Sequence, residues 1–131
     1  SLVLSQAANE SGWGTSRFAV EGHNYFGQWC FKKGCGLVPK HRKAGGTHEV
    51  AKFISPRQSV ERYMNNINAF SAYSELRNIR AALRRKNEII VGEKLADGLM
   101  KYSERGKDYI KEIKAMIRVN KLTALDLEQQ S

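Results

Sequence analysis

Residues Ser5 to Ser16 read Ser-Gln-Ala-Ala-Asn-Glu-Ser-Gly-Trp-Gly-Thr-Ser, and this stretch constrains the fold more than any other. It begins as helix, with small and apolar residues that pack closely, and then must stop. Gly12 and Gly14 end it, because glycine reaches left-handed dihedrals without a Cβ clash. Glu10 therefore falls on the last turn of an apolar helix, beside Trp13. Helix-end carbonyls and a nearby aromatic wall both disfavour an ionised carboxylate. A general acid working near neutral pH requires that property. The rival reading is a solvated helix-end glutamate, and these residues alone leave both open.

The remainder of the chain sets limits. Its 131 residues suffice for one domain with a core, residues 1–131. Hydrophobic content of 41% and charged content of 27% are those of an ordinary globular domain. No apolar run approaches membrane-spanning length, so no membrane insertion is expected, and any export signal is expected to lie in a segment upstream of these residues. Leu2-Val3-Leu4 is already in helical register with no cap before it, so a first helix beginning upstream and an N-terminally truncated domain are expected. The net charge of +9 calls for acidic partners, either nucleic acid or an anionic bacterial wall. Basic residues gather at Lys32-Lys33, Lys40 to Lys43, and along Arg77, Arg80, Arg84, Arg85 and Lys86; solvated faces are the plain alternative.

Cys30 and Cys35 share a glycine-containing loop. A pair so close suits a local disulfide and hence an oxidising compartment. Metal ligation together with His23 and His41 is the rival, although the spacing fits no common zinc pattern, and free thiols are the third case. His48 shows no metal-ligand spacing either.

Along the chain, Thr15 is positioned to cap a short helical turn through Val20 that Gly22 ends. Residues 22–36 read as a loop rich in glycine and aromatics. Leu37-Val38 and Val50 to Ile54 flank Gly45-Gly46 and suit a small hairpin. Ser55-Pro56 opens a helix with Val60, Tyr63, Met64, Ile67 and Phe70 on its apolar face. Further helices are predicted over 74–86 (Leu76, Ile79 and Leu83 inward), 89–102 (Val91, Leu95 and Leu99 inward) and 106–119 (Tyr109, Ile110, Ile113, Met116 and Ile117). Asn120 stops the last of these, and the tail from Lys121 to Ser131 reads as amphipathic at best, with its end expected to fray. Five or six helices with one hairpin make a mainly α, α+β fold.

Gln6-Ala7-Ala8-Asn9-Glu10-Ser11-Gly12-Trp13-Gly14 resembles the signature helix end of the bacterial glucosaminidases, a family that includes the flagellar peptidoglycan hydrolase and autolysins. Asn24-Tyr25-Phe26-Gly27 resembles the family's Asn-x-Phe-Gly motif. The run Asn24 to Cys30, Cys35, and Tyr102-Ser103-Glu104-Arg105-Gly106 are similar to its Bax-like branch in Gram-negative bacteria. The resemblance extends over nearly the whole chain. It implies a lysozyme-like architecture, in which a helical body and a hairpin lobe form a cleft with Glu10 at its floor. It also implies a catalytic role for Glu10.

A glycosidic bond is cut by protonating its leaving oxygen while the anomeric carbon gains positive charge, and Glu10 is the expected acid. The second group is less defined. In relatives a second glutamate sits on the hairpin in a Thr-x-Glu segment, and Thr47-His48-Glu49 is the nearest match here. Glu49 lies only four residues before Phe53, a shorter stretch than in relatives, so a solvent-facing strand residue is the other reading. Glu21 is a weaker substitute. The resemblance also offers Tyr102, matched by its Tyr alone, as a cleft phenol; core packing is the alternative. Among the loop aromatics, Phe26 is expected inward and Tyr25 or Trp29 nearer a sugar. With Trp13 and Asn24 these make up the expected substrate-binding set, Asn24 acting by holding the loop.

The expected protein is thus a monomeric N-acetylglucosaminidase of the periplasm or cell envelope. It acts on β-1,4 bonds of peptidoglycan glycan strands without metal or organic cofactor. A lytic transglycosylase using one glutamate, or a non-catalytic wall-glycan-binding relative, are the alternatives. Nothing resembles a nucleic-acid recognition motif, so no nucleic-acid partner is expected.

Overall fold

The first helix, α1, runs Leu2–Ser11 and ends in three successive residues with positive φ: Gly12 at 55°, Trp13 at 57° and Gly14 at 81°. The computed structural model describes residues 1–130. The chain divides into two compact units, Ala7–Met64 and Ser1–Gln6 with Asn65–Ser131. The division falls within α1 and within a later helix. Among the described residues there are seven α-helices, two 3₁₀ turns and one three-stranded sheet, a mainly α, α+β fold. No helix among them is long and apolar enough to cross a membrane.

In the Ala7–Met64 unit, α2 spans Arg17–Gly22 and is capped by Ser16, whose hydroxyl accepts from the Ala19 amide. Thr15, the expected cap, instead turns its hydroxyl onto the Gly12 carbonyl at 2.6 Å. Three short strands follow: β1 (Trp29–Cys30), β2 (Gly36–Leu37) and β3 (Glu49–Ala51). β3 lies between the other two, antiparallel to both. The expected hairpin is therefore the β2–β3 half of the sheet, and β1 arises from residues that read as loop. Two residues are too few to display alternation, and β1 becomes a strand only through its distant partner, Trp29 opposite Val50 and Cys30 opposite Glu49. Gly36 is required at its place, since a Cβ there would stand 2.0 Å from the Val50 carbonyl oxygen.

The helix opened by Ser55, α3, runs Pro56–Ala69, with the Gln58 amide donating to the Ser55 hydroxyl. Its buried positions are Ser59, Tyr63 and Ile67, whereas Val60, Met64 and Phe70 are exposed, contrary to the apolar stripe read from sequence. Ser59 tolerates burial because its hydroxyl is satisfied locally by the Pro56 carbonyl.

In the other unit, α4 (Ser74–Arg85) follows a 3₁₀ turn at Ser71–Tyr73 and buries Leu76 and Leu83. The helix predicted over 89–102 does not form as one piece. It is a single turn, α5 (Gly92–Leu95), then a 3₁₀ turn at Ala96–Gly98. The reason is proximity: a Cβ on Gly98 would meet the Leu76 Cα at 2.3 Å, so the chain presses backbone to backbone on α4 there. α6 (Lys107–Val119) buries Tyr109, Ile110, Ile113 and Ile117. Gln6 donates to the Tyr109 hydroxyl at 3.0 Å, which satisfies two buried polar groups at once. Beyond Lys121 the tail forms α7 (Thr123–Gln129). Its Asp126 accepts from the Gly92 amide at 2.9 Å, and Gln130 exchanges hydrogen bonds with Ile90.

Candidate active site

The end of α1 is built to hold a sharp reversal. Ser11, buried, donates its hydroxyl to the Ala7 carbonyl at 2.6 Å and accepts from the Gly14 amide at 2.8 Å. The Trp13 amide reaches back to the Ala8 carbonyl, and the Ser16 amide to that of Ser11. This lattice keeps Trp13 in the left-handed region, which costs a side-chain-bearing residue about 1–2 kcal/mol. The indole is 66% exposed, so its own packing does not explain the conformation. Glu10 is half-buried one turn earlier.

The Asn24–Gly27 segment closes against this helix end. Asn24 is buried, and its side chain makes four bonds to backbone. Nδ2 donates to the Gln28 and Ala51 carbonyls at 2.9 Å each, and Oδ1 accepts from the Phe26 and Gln28 amides at 3.2 Å each. The loop is thereby tied to β3. Phe26 points inward and stacks on Tyr63, ring centroids 4.3 Å apart. Gly27, at φ 66°, brings bare backbone to the carboxylate: a Cβ there would lie 3.5 Å from Glu10 Oε2. Tyr25, half-buried, reaches toward Gly14, where a Cβ would stand 3.6 Å from its ring. The two motifs singled out in the sequence are thus brought together around one carboxyl group.

Glu49 has a different setting. It is buried rather than solvent-facing, and both its oxygens are engaged: Oε2 by the Gly34 amide at 2.9 Å, Oε1 by the Gly36 amide at 3.0 Å. These bonds, Gly34 first and then Gly36, hold its pKa below the usual glutamate value against the opposing effect of burial, with Arg42 and Lys33 assisting. Cys30 and Cys35 are joined by a disulfide, with Cα atoms 6.3 Å apart, so the same short loop is closed twice. Glu21 is exposed and lies 3.6 Å from Arg17.

Trp29 is 54% exposed and stacks flat on His48, centroids 3.7 Å apart. Phe31, one of the loop aromatics but outside the expected substrate-binding set, stands edge-on to Trp29 at 6.4 Å and is 68% exposed. Its signal was present: three aromatics within seven residues of a loop, Tyr25, Phe26 and Trp29, precede it. Tyr102 belongs to the other unit, where its half-buried ring stacks on Tyr109 at 5.5 Å and lies 5.9 Å from Tyr73. Among the described residues no three His, Cys, Asp or Glu side chains gather as a metal site.

The glucosaminidase family profile, described as mannosyl-glycoprotein endo-beta-N-acetylglucosaminidase, matches residues 1–122. Protein bax of Escherichia coli (strain K12) is 37% identical over 120 residues, which cover 92% of this chain. The chain spans 42% of the length of that curated relative. No solved structure matches the chain significantly. With nearly its whole length matched by the profile, this chain belongs to the glucosaminidase family, whose members are built as glycoside hydrolases.

Proposed function

We propose that the protein is a peptidoglycan hydrolase, an N-acetylglucosaminidase that cleaves β-1,4 bonds of the wall glycan with Glu10 as general acid. The observation that carries the reading is the approach of Gly27 to the Glu10 carboxylate. It leaves one oxygen edge bordered by bare backbone instead of a side chain, while the Tyr25 ring lies against Gly14 and the exposed Trp13 sits in the same turn at the helix end. A half-buried carboxyl on the last turn of a helix is suited to holding its proton until the glycosidic oxygen takes it. The bond to the anomeric carbon then breaks, and the departing sugar leaves as an alcohol. Tyr25 and Trp13 offer ring faces to the sugars on either side. The Cys30–Cys35 disulfide agrees with action in the periplasm or cell envelope.

One observation favours a second reading. Both Glu49 oxygens are occupied by loop amides, so no step is routed through it here. The group that attacks the anomeric carbon would then be water, or the substrate itself. Attack by the sugar's own hydroxyl would make the protein a lytic transglycosylase. Tyr102 is likewise given no step.

Turnover of purified peptidoglycan by the wild type and by Glu10→Gln, with mass spectrometry of the products, tests both. Reducing N-acetylglucosamine ends, reduced in the variant by roughly 10²–10⁴, support the glucosaminidase. Anhydro ends keep Glu10 and move the protein to the second reading. Release that is equal in wild type and variant overturns both.

A further inference from the structure

We propose that Trp29, Phe31 and His48 form a sugar-binding platform on the sheet, one that takes a pyranose ring of an acidic N-acetylated glycan. The proposal rests on the reading of the protein as a glycan hydrolase, and adds to it a site that the acid chemistry does not need. Two large aromatic rings stand more than half exposed, side by side, at the edge strand β1. Trp29 and His48 are near-parallel at 14°, and Phe31 is turned 70° to Trp29, so the surface presents a flat stack with an upright edge. The C–H face of a pyranose ring complements such a surface, and stacking on it removes apolar area from water on both sides.

The platform is held from beneath. Cys30, between Trp29 and Phe31, is bonded to Cys35, and the Glu49 carboxylate grips Gly34 and Gly36 in the same loop. His48 directly precedes Glu49, and its carbonyl accepts from Arg42 Nη1 at 3.0 Å. Rings fixed in this way lose little freedom when a ligand arrives, which favours binding over mere exposure. Lys32 and Lys33 follow Phe31, both exposed, and match a glycan that carries carboxylates beside its sugar rings.

The chain has two tryptophans, so its amide spectrum carries two indole signals, assignable with Trp13→Phe and Trp29→Phe. Isotope-labelled protein is titrated with chitotetraose and with soluble muramyl-containing wall fragments. The Trp29 signal is expected to shift and saturate with both, at lower concentration with the acidic fragments. Phe31→Ala, a change at an exposed side chain, is expected to weaken that binding roughly threefold to tenfold. A Trp29 signal that stays still while Glu10-dependent turnover proceeds overturns the platform and leaves the proposed reaction standing. A shifting Trp29 signal without Glu10-dependent turnover keeps the platform and overturns the reaction. Equal affinity for Phe31→Ala and wild type overturns the platform as drawn.

Discussion

A methyl group on Gly27 would stand 3.5 Å from Oε2 of Glu10, in a backbone basin, φ 66°, that side-chain-bearing residues seldom occupy. Gly27→Ala is therefore expected to cost about 1–2 kcal/mol through backbone strain, and relief of that strain would shift the segment that borders the carboxylate. Peptidoglycan turnover should fall roughly tenfold to a hundredfold while the circular dichroism spectrum stays native, because small displacements at a reacting group carry penalties of that size. Turnover and thermal melts on one preparation check it.

Asn24 holds its loop through four backbone bonds, and Asn24→Ala leaves the Phe26 and Gln28 amides without that acceptor. Each stranded amide costs about 1–3 kcal/mol, so a loss of at least about 2 kcal/mol is expected in urea unfolding. Activity should fall with stability, and recover partly when the assay is cooled.

Glu49 links the sheet loop to pH. Its pKa is lowered in the fold, so its contribution is complete above the ordinary glutamate value of about 4.3 and is lost as pH falls through the depressed one. Glu49→Gln can offer one acceptor oxygen where the native residue offers two. The melting-temperature gap between wild type and Glu49→Gln should thus be constant above about pH 5 and narrow on acidification below the usual carboxylate range. Melts from pH 7 to pH 3 check the sign, and a gap that widens on acidification would refute it.

The same variant separates positioning from chemistry. If Glu49 acts only through its loop, KM rises and kcat holds near the wild-type value. If it supplies a base or nucleophile, kcat drops by about 10²–10⁴.

Much of this was legible in the residues. Gly12 and Gly14 announce the helix stop, Ser55-Pro56 the start of α3, and the Tyr109–Ile117 stripe the buried face of α6, because each is a local rule acting on neighbours. What escaped depends on partners far along the chain. β1 exists only because β3 arrives some twenty residues later. The predicted 89–102 helix breaks where Gly98 meets Leu76, a contact with no trace in either segment alone. On α3, periodicity chose Val60 and Met64 over Ser59 because a hydroxyl that satisfies itself locally looks polar in a sequence and behaves as small and neutral in a core. At the site, Glu10, Asn24–Gly27 and the cluster of loop aromatics were visible in the sequence, whereas the two amides gripping Glu49 required the folded loop.

Trp13→Gly should leave stability within about 1 kcal/mol of wild type. Relief of the left-handed penalty, roughly 1–2 kcal/mol, offsets the extra chain entropy of glycine, about 0.5–1 kcal/mol. Affinity for chitotetraose should nevertheless fall, since the indole is gone. Calorimetry of unfolding and of binding on the same variant checks both halves.

The run of positive φ from Gly12 to Gly14 places three consecutive residues in mirror-image backbone. A D-tryptophan introduced at position 13 by chemical ligation would enter the same basin without steric cost, yet project its ring from the opposite side of the Cα. Such a protein would be more stable and would aim its indole elsewhere. At this position chirality, more than packing, decides which way the tryptophan faces.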